Sequence, residues 1–413
     1  MYRVSPFVDR FARALLAGAA LATLWVNLAP QSYYDAIEFR LADLPLPDWV
    51  APQSLTLTPM GLVSDALMAL FLFFLGKELW EALVLERGAL AGRDRLVLPL
   101  GAVLGGTIGA VALWVGFGLV FGTDGFETSP LTGWTVPIGS DVVLCYVLGR
   151  LAFGRNHPAL HLLLLITIAF DILGLLLTGL ANPVIDLRLA WLVLPALALG
   201  AVWLGFGRLA EGGANEVQHR RAALLWPYVL AGLVSWTGVA LSGLPPTLGL
   251  LPLIPLVPHA ERSFGLFAEA EEYLHDPLNR LAHLMVRPLP VVLFLFGLTR
   301  GGVDLSALSL TTGATLAALW IGKPLGLFAG ALAAIALARQ SLPPAIRLSH
   351  LALIAVLCGL GFTVPVLAIG TALPGGDMSE AARLGLALSL LAGPIALALS
   401  RLVPSRQHTS PRS

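Results

Sequence analysis

The run Leu163-Leu-Leu-Ile-Thr-Ile-Ala-Phe-Asp171-Ile-Leu-Gly174-Leu-Leu-Leu-Thr178 is apolar except for one carboxylate near its middle. At bilayer depth such a group costs about 3 kcal/mol on insertion scales. A chain tolerates that cost where the acid has a partner or a task. Asp65, Lys77, Glu78, Asp141 and Lys323 also fall inside long apolar runs. The chain has only two lysines, Lys77 and Lys323, and every other fixed positive charge is arginine. A desolvated lysine can release its proton, whereas arginine effectively cannot. Lys323, in Trp320-Ile-Gly-Lys-Pro-Leu-Gly326, is therefore the natural partner for a buried acid that cycles its proton. A structural ion pair is the plainer alternative. A carboxylate can hold a hard cation or a proton but not both, so the chemistry on offer is exchange at one acid. Lys77 and Glu78 stand near the end of their run, where snorkelling to the interface accounts for them. Asp65 reads as a structural cap or hydrogen-bonding residue. No nucleophile–base or metal-ligand pattern stands out, so neither an enzyme nor a bound cofactor is expected.

These residues need a scaffold that buries them in lipid. Of 413 residues, 57% are hydrophobic and 12% charged, against about 25% charged in a soluble domain. Apolar runs near 12–30, 59–85, 96–121, 130–151, 158–182, 189–206, 222–236, 238–256, 277–299, 313–337, 348–373 and 382–403 predict twelve transmembrane helices. The fold class is an all-α polytopic membrane protein with the lipid bilayer as its partner, and a soluble enzyme is excluded. Formal net charge is zero, so there is no basic footprint for nucleic acid. Cys145 and Cys358 lie within apolar runs and read as small core residues rather than a disulfide or metal pair. The basic stretch Met1 to Arg13 precedes a run of full span length, so no cleavable signal peptide is expected.

Arginines cluster in alternate loops: Arg3, Arg10 and Arg13; Arg87, Arg93 and Arg95; Arg150 and Arg155; Arg208, Arg220 and Arg221; Arg262 and Arg280; Arg339 and Arg347; Arg401, Arg406 and Arg412. The other loops hold Arg40, Arg188, Arg300 and Arg383. By the positive-inside rule both termini are cytoplasmic. The polar segment Gln31 to Thr58 suits a short external hairpin or an interfacial cap. The Gly- and charge-rich stretch Glu211 to His219 suits a cytoplasmic linker between halves 1–210 and 220–413 of one transmembrane domain.

Two runs carry helix breakers beside polar groups: Trp134-Thr-Val-Pro137-Ile-Gly139-Ser140-Asp141 and Cys358-Gly359-Leu-Gly361-Phe-Thr363-Val-Pro365. Each should unwind at membrane depth, where free backbone groups are tolerated only against protein or a wet cavity. One interrupted run in each half points to an inverted-repeat transporter with its site between the repeats. The helix ends at such a crossing need compensation, by Asp141 for exposed N–H groups and by Lys323 for exposed carbonyls.

At this point the chain resembles the NhaA-type sodium/proton antiporters. The resemblance covers nearly the whole chain. It rests on Ser64-Asp65-Ala-Leu-Met-Ala-Leu-Phe, Gly76-Lys77-Glu78-Leu79, Trp134-Thr-Val-Pro137, Ser140-Asp141 and Phe170-Asp171-Ile172-Leu-Gly174. It rests most specifically on Gly322-Lys323-Pro-Leu-Gly326 and Leu357-Cys-Gly-Leu-Gly361-Phe-Thr363. The resemblance implies a homodimer in the bacterial inner membrane that exchanges Na+ or Li+ for H+ in sodium and pH homeostasis, with two unwound helices crossing at the ion site. It implies that Asp141 is the acid at the crossing, that Asp171 is the first acid of an Asp-Asp-Leu-Gly motif and that Lys323 is its partner. Ser140 and the backbone around Thr363 complete the site, and Glu78 matches a glutamate linked to pH response at the cytoplasmic mouth.

The chain departs from the pattern at the motif itself. With Leu173-Gly174 as anchor, Ile172 stands where the family has its second acid, a main ion ligand. Taking Asp171 as that second acid would need an inserted residue. The stretch His275 to His283 matches the family only loosely. Arg300 replaces a small polar residue and reads as a span-end arginine. A site one negative charge poorer should bind sodium more weakly or alter stoichiometry. The sequence also leaves open a same-fold transporter for another ion or small solute, and a non-transporting homologue.

Overall fold

The computed structural model describes residues 7–44, 55–84, 93–121, 129–154, 157–183, 185–206, 224–257, 277–343 and 346–401. The linker Glu211–His219, residue His275, and Arg3, Arg87, Arg155, Arg208, Arg220, Arg221, Arg262, Arg406 and Arg412 lie outside them.

In lipid the backbone must satisfy its own hydrogen bonds, so apolar runs become helices. They are α1 (Phe7–Leu28), α2 (Pro30–Ile37), α3 (Pro59–Val84), α4 (Arg93–Phe121), α5 (Val142–Phe153), α6 (Pro158–Ala181), α7 (Val193–Gly205) and α8 (Trp226–Leu241). After a 3-10 helix, Pro246–Leu256, come α9 (Pro277–Val286), α10 (Leu289–Arg300), α11 (Leu310–Leu337), α12 (Leu348–Leu357), α13 (Thr363–Ala372) and α14 (Gly376–Ser400). Among the described residues, six are long and apolar enough to cross a membrane unbroken. Helices α9 and α10 pass the same test only as a pair, bent by 50° at Pro288, which cannot donate to the helical ladder. The shorter apolar elements fill the remaining predicted runs. Two turns are wound as π-helix, Leu62–Leu67 in α3 and Ala318–Gly322 in α11.

The polar segment Gln31 to Thr58 contains a hairpin, with β1 (Ala42–Leu44) antiparallel to β2 (Leu55–Leu57) and Asp43 opposite Thr56. The seventh and eighth runs divide differently from expectation. Helix α8 passes straight through Trp236–Gly238. The chain turns at Ser242–Pro245, with Gly243 at φ +88. Consecutive Pro245 and Pro246, with Pro252 and Pro255 beyond, remove the amide donors an α-helix needs, and the segment winds as 3-10 helix instead.

The helices sort into two layers. In one, Phe73, Tyr228, Leu253, Ile254 and Leu281 join α3, α8, the 3-10 helix and α9. In the other, Leu98, Phe170, Leu327, Leu351 and Leu357 join α4, α6, α11 and α12. Each layer contains a helix pair in backbone contact. A Cβ on Gly105 would strike the carbonyl of Gly326, and a Cβ on Gly326 the carbonyl of Gly105; Gly101 and Gly109 face Gly330 and Gly322 in the same way. Likewise Gly18 of α1 packs on the Phe294 carbonyl of α10, and Gly297 on that of Leu15. Small residues permit this approach, and dispersion between backbones is what holds helices together where lipid is as apolar as the protein. At the end that carries the termini, Arg150 of α5 pairs with Asp9 of α1 and joins the layers.

Candidate ion site at the helix crossing

Two of the apolar runs break near their middles and cross. In the first, turns from Ser129 to Ile138 lead through an extended Gly139–Asp141 into α5. In the second, α12 ends at Leu357, the chain unwinds over Cys358–Phe362, and α13 starts at Thr363. The unwound strands bond to each other, Asp141 N–H donating to the Leu360 carbonyl at 3.0 Å. Gly174 allows α6 to lie on this crossing, because a Cβ there would come within 3.1 Å of the Gly139 nitrogen.

Asp141 serves both half-helices. Its Oδ1 accepts from Leu144 N–H at 2.7 Å, capping α5, and its Oδ2 accepts from Thr363 N–H at 3.3 Å, at the start of α13. One carboxylate thus answers two positive dipole ends. Lys323 answers the opposite polarity, donating to the Gly139 carbonyl at 2.5 Å and to Ser140 Oγ at 2.8 Å. The Ser140 hydroxyl donates onward to the Cys358 carbonyl at 3.1 Å. Asp171 Oδ1 accepts from Ser140 N–H at 2.8 Å. Its other oxygen, Oδ2, is buried with no hydrogen-bond partner. Asp141, Asp171, Ser140 and Lys323 are all 0% exposed and Thr363 is 1% exposed. The Lys323 ammonium also lies 4.5 Å from the centre of the Phe170 ring, a favourable cation–π contact.

The structure brings together all five residues expected at the crossing, with three changes of detail. Asp171 and Lys323 make no direct ion pair and meet through Ser140. Thr363 presents its N–H to the site rather than a carbonyl, because it opens a helix. The carbonyls of Cys358 and Leu360 are already engaged. Ile172 is half-buried and packs on the largest apolar cluster. Cys145 and Cys358 are free and buried, and Cys145 Sγ donates to the Leu357 carbonyl at 3.1 Å.

Away from the crossing, three readings change. Lys77 does not snorkel. It is fully buried and pairs with Glu81 at 2.7 Å, a partner one helical turn on that the i,i+4 spacing could have disclosed. Glu78 sits half-buried on the same turn, apart from the crossing. Asp65 is not a cap; Thr58 caps α3, and the Asp65 carbonyl accepts from Trp236 Nε1 at 2.8 Å. Arg300 is half-buried and donates from Nε to Ser64 Oγ at 2.7 Å. Sequence reasoning missed Ser389, whose hydroxyl accepts from Gly361 N–H at 3.1 Å and steadies the unwound strand. Nothing in its local sequence marks it.

A membrane protein whose two broken helices cross around buried carboxylates and a lysine is built as a secondary transporter. The comparisons give the family. Residues 9–399 match the family model described as Na+/H+ antiporter 1, and the chain belongs to that family. It is 38% identical to a protein of Jannaschia sp. (strain CCS1) named Na(+)/H(+) antiporter NhaA, over 97% of this chain and 98% of that one. A protein of the same name from Geobacter metallireducens is 32% identical over 96% and 97% of the two chains. One from Geotalea uraniireducens is 29% identical over 97% of each.

Proposed function

We propose that this chain is a secondary active antiporter that exchanges Na+ or Li+ for H+ across a membrane. The observation that carries this reading is the unpartnered Oδ2 of Asp171, fully buried beside a lysine-bearing crossing. A buried carboxylate oxygen without a donor is costly unless a proton or a cation visits it. Asp171 takes one or the other, and that competition couples the two fluxes. Oxygen ligands suit a hard cation. The Ser140 N–H bond fixes the carboxylate's direction. Lys323 follows the charge on Asp171 through the Ser140 hydroxyl rather than by contact. Asp141 holds the half-helices together by accepting from an N–H at the start of each. With Ile172 in place of a second acid, the site carries one lysine against two carboxylates, which favours weaker sodium binding than a three-carboxylate site would give.

The rest of the reading follows the same support. The alternating arginines favour cytoplasmic termini in a bacterial inner membrane. The two interrupted spans favour one domain of two related halves. The hairpin pairs β1 only with β2 among the described residues, and a two-stranded sheet can extend by pairing with a second copy, which favours a homodimer. Glu78, near the end of α3 toward the proposed cytoplasmic face, is the candidate for pH response.

The test is proton flux in proteoliposomes on addition of Na+, Li+ or K+, for wild type and Asp171→Asn. A cation-dependent pH change that disappears in the variant supports the reading. Wild-type silence from pH 6 to 9, or exchange that survives in Asp171→Asn, overturns it.

A further inference from the structure

The arginine that replaces a small polar residue has work at the end of the bundle opposite the termini. Arg300 closes α10 and reaches in two directions. Its Nε donates to Ser64 Oγ at 2.7 Å, and Ser64 is 1% exposed on the π-turn of α3. On the other side its guanidinium lies against the last turn of α13, where a Cβ on Gly370 would come within 2.9 Å of Nη1. Asp65, Glu38, Tyr33 and Arg383 lie within electrostatic reach. The C-termini of α10 and α13 both turn negative dipole ends toward this point, and a permanent cation there is favoured by both.

The second contact matters because of what α13 is. It has ten residues, about 15 Å of helix. Its first amide is bonded to Asp141 at the crossing, and its last turn lies under Arg300. Arg300 and Ser64 belong to one layer, α13 to the other. The π-turn that bears Ser64 and Asp65 is a local loosening of the helix, a feature found where a segment must adjust.

We propose that Arg300 is the positioning residue of an outer gate, holding α13 against α3 so that Asp171 and Asp141 are closed off from this end. This rests on the antiport reading. Passage of an ion to or from the external side requires the guanidinium to leave Ser64 or Gly370, and Asp65, one residue further along the π-turn, offers it a charged partner when it does. Replacing Arg300 then exposes the path and shifts the population toward the outward-open state, which strengthens apparent external ion affinity and weakens the cytoplasmic one.

The test uses a reporter that does not depend on transport. Val366 lies one turn inside Gly370 on the same face of α13 and is 2% exposed. Val366→Cys is labelled from outside with a membrane-impermeant maleimide; Cys145 and Cys358 are buried and give little background. Arg300→Ser and Ser64→Ala should each raise the labelling rate about fivefold or more, a typical magnitude of coupling between sites. Arg300→Lys, which keeps charge but not the fork, should fall between. In oriented proteoliposomes the half-saturating external Na+ should fall by a similar factor in Arg300→Ser, while the cytoplasmic value rises. Equal labelling in wild type, Arg300→Lys and Ser64→Ala overturns the proposal, whether or not Arg300→Ser folds. So does a shift of both half-saturation values in the same direction. Wild-type protein that gates the maleimide but moves no proton with any cation would overturn the antiport reading and leave the gate standing.

Discussion

Asp171 and Lys323 are joined by a single intermediary, Ser140, whose backbone N–H donates to Asp171 Oδ1 and whose hydroxyl accepts from Lys323 Nζ, both at 2.8 Å. Loss of the hydroxyl therefore separates the two charges without altering either. Ser140→Ala should leave the Asp171 bond in place, cost about 1–3 kcal/mol of stability for the lost lysine partner, and shift the pH profile of exchange. The check is proton flux against pH, read beside a thermal unfolding curve in detergent. An unshifted profile would mean that Lys323 does not track Asp171 through Ser140.

Restoring an acid at position 172 sets function against packing. Ile172 lies on the largest apolar cluster, so Ile172→Asp should destabilise the protein by about 3 kcal/mol in the absence of cation. If the site takes sodium, Na+ should recover much of that loss and increase exchange. Unfolding temperature with and without Na+ checks this. Destabilisation that Na+ cannot reverse would place Ile172 away from the ion path.

Lys77 and Glu81 form a pair that is 0% and 5% exposed. Removing one member of a buried ion pair takes the opposite charge from the other and costs about 3–5 kcal/mol, while removing both can be nearly neutral. Lys77→Met should thus unfold the protein far more readily than the double variant Lys77→Met with Glu81→Leu. The two melting temperatures decide the matter.

His157 precedes α6 and caps it, its Nδ1 accepting from Ala159 N–H at 3.1 Å. Its ring centre lies 4.5 Å from that of His350, on the first turn of α12, with Phe153 packed on both. Burial, then the charge of Arg347, hold its pKa below the usual 6.5. The folded state thus binds fewer protons than the unfolded chain, and stability is gained as pH rises through this window and lost as pH falls below about 6.5. Protonation also removes the lone pair that makes the cap. His157→Asn, a cap that does not titrate, should flatten the dependence of melting temperature on pH between 5 and 7. An unchanged slope would assign the acid sensitivity to other groups.

The glycine contact between α4 and α11 predicts intolerance to one methyl group. Gly105→Ala or Gly326→Ala forces the backbones apart and should cost about 1–3 kcal/mol together with loss of exchange, since α11 carries Lys323. Gly116, also on α4, has nothing within 4 Å of a built Cβ. Gly116→Ala should be neutral or slightly stabilising.

Much of the crossing was legible because the residues that betray it are expensive. An aspartate or lysine in an apolar run, or Gly139 and Pro365 inside a span, announces itself against the background of lipid-compatible residues. The all-α architecture followed from length and hydropathy, but six of the predicted runs are single span-length helices among the described residues and others are built of shorter apolar pieces. What stayed hidden depends on three-dimensional neighbours. Ser140 as the link between two charges, Ser389 as a clamp on Gly361, and Arg300 reaching Ser64 across 236 positions of sequence have no local signature. The boundary at Ser242–Pro245 was misplaced because Trp236–Gly238 looks like a break in hydropathy, whereas helix termination depends on amide donors, which proline removes.

The rows of glycine on α4 and α11 have one more property. Notches spaced one turn apart on both rods match not only in the observed alignment but also one turn up or down, because every notch has the same shape. Such a scale sets how near the rods come and says nothing about which mark meets which. That choice falls to residues flanking the rows, Ala334 beside Gly101 at one end and Leu113 beside Gly322 at the other. A methyl group and a leucine thus join the contacts of Lys323 itself in fixing the depth at which it stands. An error of one notch, four residues, would carry its ammonium about 6 Å along the rod, out of reach of Ser140.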